Sequence, residues 1–317
     1  VYDREVLTKG LDVLFYGCLL AFGITAAFNL LPFDLAKPLH EPMAGLLKPF
    51  EASNRSLFGW YTPFMFRMQF GNMLSYTGMA LVFLGWHLDR KWWLGKGLLL
   101  FLMVFILGTR GALLGIMAAL PFLMFGFIKV KKPTLSPRWI WPTLAVLLLF
   151  GWLALPKMQQ RWSQTKFELE VIAQGEHEAF PYQHFTTLTR LNSWRNSMEL
   201  WKQNPVLGTG IGDYKAEYAK TYEDDAIPID LYYHSQWLYY LCVFGFAGLL
   251  LYLISILFWY KRQRDGAFRQ YYALSLLIFS AVIWIFDAGL LAQLDMMTLG
   301  IFTSITLCLS RDSISST

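Results

Sequence analysis

Apolar residues run along this chain in long blocks, separated by short polar or basic stretches. Eight blocks reach, or fall within a residue or two of, the roughly 17–25 residues needed to cross a bilayer. They are Leu11–Leu31, Asn72–Leu88, Trp92–Gly108, Gly111–Ile128, Trp139–Leu155, His234–Tyr260, Gln270–Leu290 and Ala292–Ser310. Each predicts a helix, because hydrocarbon offers backbone groups no other partner and the period-two alternation of a barrel is absent. The expected fold class is all-α, a polytopic membrane helical bundle with eight spans. Residues 1–155 would hold the first five spans and an extracytoplasmic segment at 32–71. Residues 156–233 would form a long extracytoplasmic loop containing helices, 234–310 the last three spans, and 311–317 a cytoplasmic tail.

Composition agrees with that reading. Of 317 residues, 56% are hydrophobic and only 15% are charged, whereas soluble domains carry about 45–50% and about 25%. A soluble enzyme, a secreted module and a disordered scaffold are excluded. The net charge of +5 is scattered between the spans, where it reports orientation and not a nucleic-acid partner. Arg90, Lys91 and Lys96 fall in one short connection, Lys129, Lys131, Lys132 and Arg138 in the next, and Lys261, Arg262, Arg264 and Arg269 in a third. With eight spans these three lie on one side, which the positive-inside rule makes cytoplasmic. Cys18, Cys242 and Cys308 all fall within apolar blocks, so neither a disulfide framework nor a metal-type spacing is expected.

The far side carries the candidate chemistry. Its loop of 156–233 is much longer than an ordinary connection, and long loops on rigid scaffolds usually recognise or react. Three basic residues stand out. Arg110 sits in Gly108-Thr109-Arg110-Gly111, a tight turn between two apolar blocks, where an arginine faces a cavity or partner or snorkels to headgroups. Arg190 lies in a helix expected from a cap at Thr189 to Pro205, with Trp194, Met198 and Trp201 within roughly 80° of it. Arg195 and Lys202 fall on the polar side. A guanidinium on the apolar face calls for an anion, either a loop carboxylate or a phosphate.

His234 opens the sixth span and is the side chain best suited to proton transfer near neutral pH, though a histidine at a helix start also serves as a cap. On an unbroken helix Gly245 and Gly248 lie within about 40° of it, small residues that would admit a neighbouring helix. Gly208-Thr209-Gly210-Ile211-Gly212 reads as a flexible turn, or as amides bent toward a phosphate. Asp224-Asp225 reads as solvated loop acid or as a cation site. Arg161 beside Trp162 is either interfacial or a further anion contact.

Together these residues resemble a known pattern. His234-Ser235, nine residues, Gly245, two residues and Gly248 resemble the His-[Asn/Ser/Gln]-x9-Gly-x2-[Gly/Thr/Tyr] signature of the bacterial O-antigen ligases. Thr109-Arg110-Gly111 is similar to their Thr-Arg-small motif. Arg190-x3-Trp194 followed by Pro205-x2-Gly208-x-Gly210-x-Gly212 is similar to a periplasmic segment that ligases share with O-antigen polymerases. The resemblance covers roughly Trp92–Tyr260. Members of that family have about a dozen spans with three after the long loop, so the resemblance implies about four further N-terminal helices in the intact protein.

The resemblance implies a multi-pass glycosyltransferase of the bacterial inner membrane, its active site facing the periplasm. The donor would be O-antigen linked to undecaprenyl diphosphate and the acceptor a sugar of lipid A–core. Arg110, Arg190 and Arg161 would bind the diphosphate, His234 would act as general base, and Gly245 and Gly248 would support helix packing. No cofactor, no metal and no nucleic acid are expected, and membrane lipids are the remaining partners. The transfer would invert the anomeric carbon. An O-antigen polymerase uses the same donor and is the near alternative; its repeated Arg-x10-Gly pattern is met here by Arg67 with Gly78 alone. A lipid or anionic-solute transporter would instead place charges near the bilayer midplane, where these spans have almost none.

Overall fold

The computed structural model describes residues 4–31, 33–41, 67–88, 90–131, 186–211, 235–263 and 267–286, with scattered positions at 63, 159–174, 213–218 and 300. The described residues are helical and contain no strand. Eight helices are named in chain order: α1 (Arg4–Leu30), α2 (Phe33–His40), α3 (Arg67–His87), α4 (Lys91–Leu107), α5 (Arg110–Lys131), α6 (Thr186–Gln203), α7 (Gln236–Lys261) and α8 (Ala267–Phe286). Six of the eight apolar blocks therefore coincide with helices; Trp139–Leu155 and, but for Gly300, Ala292–Ser310 lie outside the described residues. Thr8–Leu30 of α1 and all of α7 are long and apolar enough to cross a membrane, and Gly111–Gly126 and Arg269–Ile285 are shorter apolar stretches. The chain divides into two compact units, Val1–Val130 with Leu257–Thr317, and Lys131–Ile256.

In the first unit α3 is the central element. Phe70, Leu74, Tyr76, Met79, Leu81, Phe83 and Leu84 are all buried, so α3 packs on every side, as expected of a helix apolar all round. Its polar residues find local partners: Ser75 Oγ donates to the Gly71 carbonyl at 2.6 Å and Thr77 Oγ1 to that of Met73 at 2.8 Å. Against α8, the hydroxyls of Tyr76 and Ser280 share a hydrogen bond of 2.6 Å, and the rings of Phe83 and Tyr272 stack with centroids 3.9 Å apart. α5 meets α8 through Gly115, against the Phe279 ring, and Gly126, against Tyr271.

Glycine sets the closeness of α3 and α4. Gly71, Gly78 and Gly85 recur every seven residues on α3, the spacing that keeps one stripe facing a partner helix. A Cβ on Gly78 would lie 2.7 Å from the Phe101 ring, and one on Gly85 2.7 Å from Trp93 Cβ. On α4, a Cβ on Gly97 would lie 2.6 Å from Val82 Cγ2 and 2.8 Å from the Gly78 carbonyl oxygen, a backbone atom that cannot swing aside. At the hairpin bend, the Arg90 amide donates to Gly85 O at 2.7 Å.

Two cations assigned to loops from sequence sit elsewhere. Lys96 lies inside α4 and Arg269 in the first turns of α8, and both are buried. Lys96 Nζ bonds Asp12 Oδ1 of α1 at 2.8 Å and is ringed by Trp92 (4.0 Å), Tyr16 (4.4 Å) and Phe15 (4.5 Å). One carboxylate and three π-faces compensate an ammonium that burial would otherwise expel. The lysine was misassigned because a charge near a block boundary reads as punctuation, while its partner is 84 positions away.

Two predictions follow from this packing. Gly97→Ala destabilises the protein by about 1–3 kcal/mol through overpacking against backbone, whereas Gly95→Ala, with nothing within 4 Å of the new methyl, does not. Unfolding by added sodium dodecyl sulfate in mixed micelles compares the two, and equal stabilities would refute the close-packing argument. Asp12→Ala costs about 1.5–3 kcal/mol, the range for hydrogen bonds to charged groups. Adding Lys96→Met to it recovers part of that loss, because the orphaned buried charge is then gone.

Candidate active site

The second unit contains an interruption in α7 that organises the region around the candidate residues. Gly245 has φ 63° and ψ −167°, a non-helical conformation inside an otherwise helical run. That region is open to glycine and strained for any residue with a Cβ. Breaking the helix there interrupts the ladder, including the bonds from the Phe246 amide to the Cys242 carbonyl and from the Ala247 amide to the Val243 carbonyl.

The segment after α6 replaces both. The Phe246 amide donates to Pro205 O at 2.9 Å and the Ala247 amide to Val206 O at 3.0 Å. In the other direction, the amides of Thr209 and Gly210 donate to Cys242 O (2.8 Å) and Val243 O (2.9 Å). Thr209 Oγ1 adds a bond to Cys242 O at 3.1 Å, and Trp201 Nε1 one to Pro205 O at 3.0 Å. These four groups are paired again, which is what burial demands of backbone. Gly208 and Gly210, at φ 73° and 90°, let the segment turn back onto α7.

Side chains complete the joint. Leu200, Tyr218, Cys242 and Val243 form a buried cluster flanked by Trp201, Tyr239 and Phe244. Cys242 Sγ donates to Ser197 O at 3.0 Å, and Asn196 Nδ2 to Tyr218 Oη at 3.2 Å. The buried face of α6 is therefore Ser193, Asn196, Ser197 and Leu200, and not the Trp194–Met198–Trp201 stripe expected from hydropathy. Small polar residues win because α6 approaches α7 closely enough to bond backbone, leaving no room for indoles. Trp194, Met198 and Trp201 are half-buried on the flank, and Arg190 shares that flank, half-buried. Arg195 and Lys202 are exposed as expected, with Arg195 on Glu199 at 3.3 Å. The helix starts at Thr186, three residues before the expected cap.

Two glycine expectations change. Gly245 serves as the seat of the 205–210 segment, not as a smooth contact for a helix: a Cβ there would strike the Val206 carbonyl, and Gly208 N would lie 2.6 Å away. The break also means that Gly245 and Gly248 do not follow one continuous helical phase. Gly248 lies against the side chain of Phe244 on its own helix. The Gly208–Gly210 amides are no phosphate cradle either, since those of Gly208, Thr209 and Gly210 bond Asn204 O, Cys242 O and Val243 O. The repeated glycines in Pro205–Gly212 were a visible signal of a special turn; its target was not visible.

In the first unit, Gly108 ends α4 in the left-handed conformation (φ 66°, ψ 33°), its amide bonded to Phe105 O at 3.0 Å. Arg110, described here by its backbone, is the first residue of α5. Thr109 precedes it as the capping residue, but its buried Oγ1 packs over Gly71 and makes no hydrogen bond. Thr109 thus gives no side-chain cap to the first turn of this 22-residue helix. His234 and Arg161 lie outside the described residues, as do Asp224 and Asp225. Residues 97–253, about half of the chain, match the family model described as O-antigen ligase.

The chain belongs to the O-antigen ligase family. No curated protein matches it significantly. The family match begins in α4 and ends in α7, so Arg110, Arg161, Arg190, His234, Gly245 and Gly248 all fall inside it. It also contains both halves of the α6–α7 joint. The O-antigen ligase family is one of membrane-associated, glycosyltransferase-like enzymes, and the long apolar helix α7 accords with that setting.

The joint makes a graded prediction. Gly245→Ala loses about 3 kcal/mol or more, combining strain in a glycine-only region with a clash against backbone. Gly210→Ala, whose new methyl would meet only Asp213 Oδ2 at 3.7 Å, loses about 1 kcal/mol from strain alone. Thermal unfolding of both variants in detergent gives the order, and a milder effect at Gly245 would refute the joint.

Proposed function

We propose that this chain is an O-antigen ligase. It transfers a glycan from undecaprenyl diphosphate to a sugar hydroxyl of lipid A–core, at the periplasmic face of the bacterial inner membrane. In this reading the chain is a multi-pass bundle with the 156–233 loop in the periplasm. The acceptor oxygen attacks the anomeric carbon as the bond to the diphosphate oxygen breaks on the opposite face, inverting that carbon. The hydroxyl proton passes to the imidazole of His234. Undecaprenyl diphosphate leaves with the electron pair, and its growing negative charge is met by Arg110, Arg190 and Arg161.

The observation that carries this reading is the joint between α6 and α7. Arg190 is on α6, whose C-terminal end is fastened to α7 by four backbone hydrogen bonds, and His234 precedes α7 by two positions in the chain. The chain order thus puts the proposed cation on α6 and the proposed base just before α7, the two helices that the joint fastens. Orientation of two reactants on a rigid frame supplies a large share of such a barrier reduction. The uncapped first turn of α5 supports Arg110 in the same role, because its amides and the guanidinium attract the same anion.

Two variants test the assignment. In a ligase-deficient strain the intact gene restores O-antigen ladders on lipid A–core, and His234→Ala at equal protein level abolishes them, with in vitro transfer falling about 10²–10⁴-fold. Arg190→Lys keeps the charge but loses the bidentate fork, and lowers transfer about 10²-fold. Near-normal transfer by Arg190→Lys would remove Arg190 from the diphosphate site. Restoration only in a polymerase-deficient strain, with single repeats extended to chains, would reassign the acceptor to a second lipid-linked repeat.

A further inference from the structure

The two buried cations of the first unit are treated differently. Lys96 has the Asp12 carboxylate and three ring faces. Arg269 is 7% exposed, and its Nε is buried with no hydrogen-bond partner. Among the described residues no carboxylate, carbonyl or ring face compensates it. A guanidinium keeps its charge at every accessible pH, and a buried charge with nothing opposite it is costly. Its place on α8 adds to that cost. Arg269 is the third residue of the helix, at the positive end of the macrodipole, and the first turn holds no acid.

The elements packed around α8 bring more positive charge to the same end of the unit. α3 runs antiparallel to α8: Tyr76 meets Ser280 and Phe83 meets Tyr272, so one further turn sets the end of α3 level with Arg269. The bend after α3 carries Arg90 and Lys91 there. On α5, Gly115 lies against Phe279 and Gly126 against Tyr271, and Lys129 Nζ sits 5.8 Å from the Tyr271 ring. Gln270 Nε2 donates to Tyr260 Oη at 3.1 Å, which brings in Lys261 and Arg262 at the end of α7. These five cations are exposed. Among the described residues the carboxylate of this end, Asp12, is held by Lys96. Clustered positive charge draws anions, and a guanidinium fork binds phosphate through two parallel bonds. The apolar stretch of α8 starts at Arg269 itself, the level at which a membrane presents its phosphates.

We propose that the end of the first unit where α8 begins is a phosphate-binding site, with Arg269 as its buried anchor and the exposed cations as its rim. The ligand is a phosphate ester, carried on a lipid headgroup or free in solution. Arg269 lies outside residues 97–253. Arg110 opens α5 while Lys129 stands near its other end, so this site is not the one proposed for the donor diphosphate.

Thermal unfolding of the full chain in dodecyl maltoside, freed of lipid and kept at fixed ionic strength, tests the site. The probes are dioleoyl phosphatidic acid, dioleoylglycerol (the same chains without phosphate) and glycerol phosphate (phosphate without the chains). Phosphatidic acid is expected to raise the midpoint by a few degrees and dioleoylglycerol to leave it unchanged. Arg269→Met loses most of that shift, and Lys261→Met, a rim control, keeps most of it. Without ligand, Arg269→Met is at least as stable as the unsubstituted chain, because an orphaned charge has gone; Arg269→Gln is a second neutral variant expected to behave alike. If glycerol phosphate also stabilises and Arg269→Met abolishes the effect, free phosphate suffices as ligand; a response to phosphatidic acid alone assigns the headgroup. The absence of any shift, or a shift that survives in both Arg269 variants, overturns the site. So does a marked loss of ligand-free stability in both variants, which would make Arg269 a structural group with a partner in the chain.

Discussion

A helix can be opened at one residue only if something else bonds the groups it releases. In α7 the release occurs at Gly245, and the Pro205–Gly210 segment supplies two acceptors to Phe246 and Ala247 and two donors to Cys242 and Val243. The exchange is reciprocal, and neither side is stable alone. Without the segment, the α7 groups would sit buried and unpaired at about 1–3 kcal/mol each; without the break, the segment would have no place to bond. The register between α6 and α7 follows, and so do the burial of Ser193, Asn196 and Ser197 and the flanking position of Arg190.

The first unit solves a related problem with the same residue type and different physics. α3 and α4 are unbroken, and glycine acts there by absence of volume, at Gly78, Gly85 and Gly97. Close backbone approach raises the dispersion contact between the two helices. Cations follow the same economy of burial. Lys96 is held by Asp12 and three aromatic faces, which fastens α1 to α4 and makes it a structural charge, unlike the arginines proposed to meet the donor.

A site for a lipid-linked diphosphate needs a guanidinium or uncapped amides at the membrane surface, with a base nearby. Of the residues proposed for that role, Arg110 opens α5, where Thr109 Oγ1 makes no hydrogen bond, and Arg190 belongs to the helix that the joint fixes. Both lie within the stretch matched by the O-antigen ligase family.

Local chemistry alone made much of this legible. Runs such as Leu11–Leu31 and His234–Tyr260 announced α1 and α7, since apolar length and backbone satisfaction are properties of a segment by itself. The Gly108 turn, the end of α6 before Pro205 and the solvent side of Arg195 and Lys202 were equally local. Three things belonged to the tertiary structure. Lys96 read as loop punctuation because Asp12, Phe15 and Tyr16 reach it from a distant helix. The buried face of α6 was misread because hydropathy ranks indoles above serines, while close approach admits only small side chains. Gly245 read as a small residue on a smooth helix because a glycine's φ depends on its partners, and those partners, Pro205–Gly210, are nearly forty positions upstream. A sequence displays propensities residue by residue; which hydrogen bonds a backbone group forfeits is decided only when a second segment arrives to replace them.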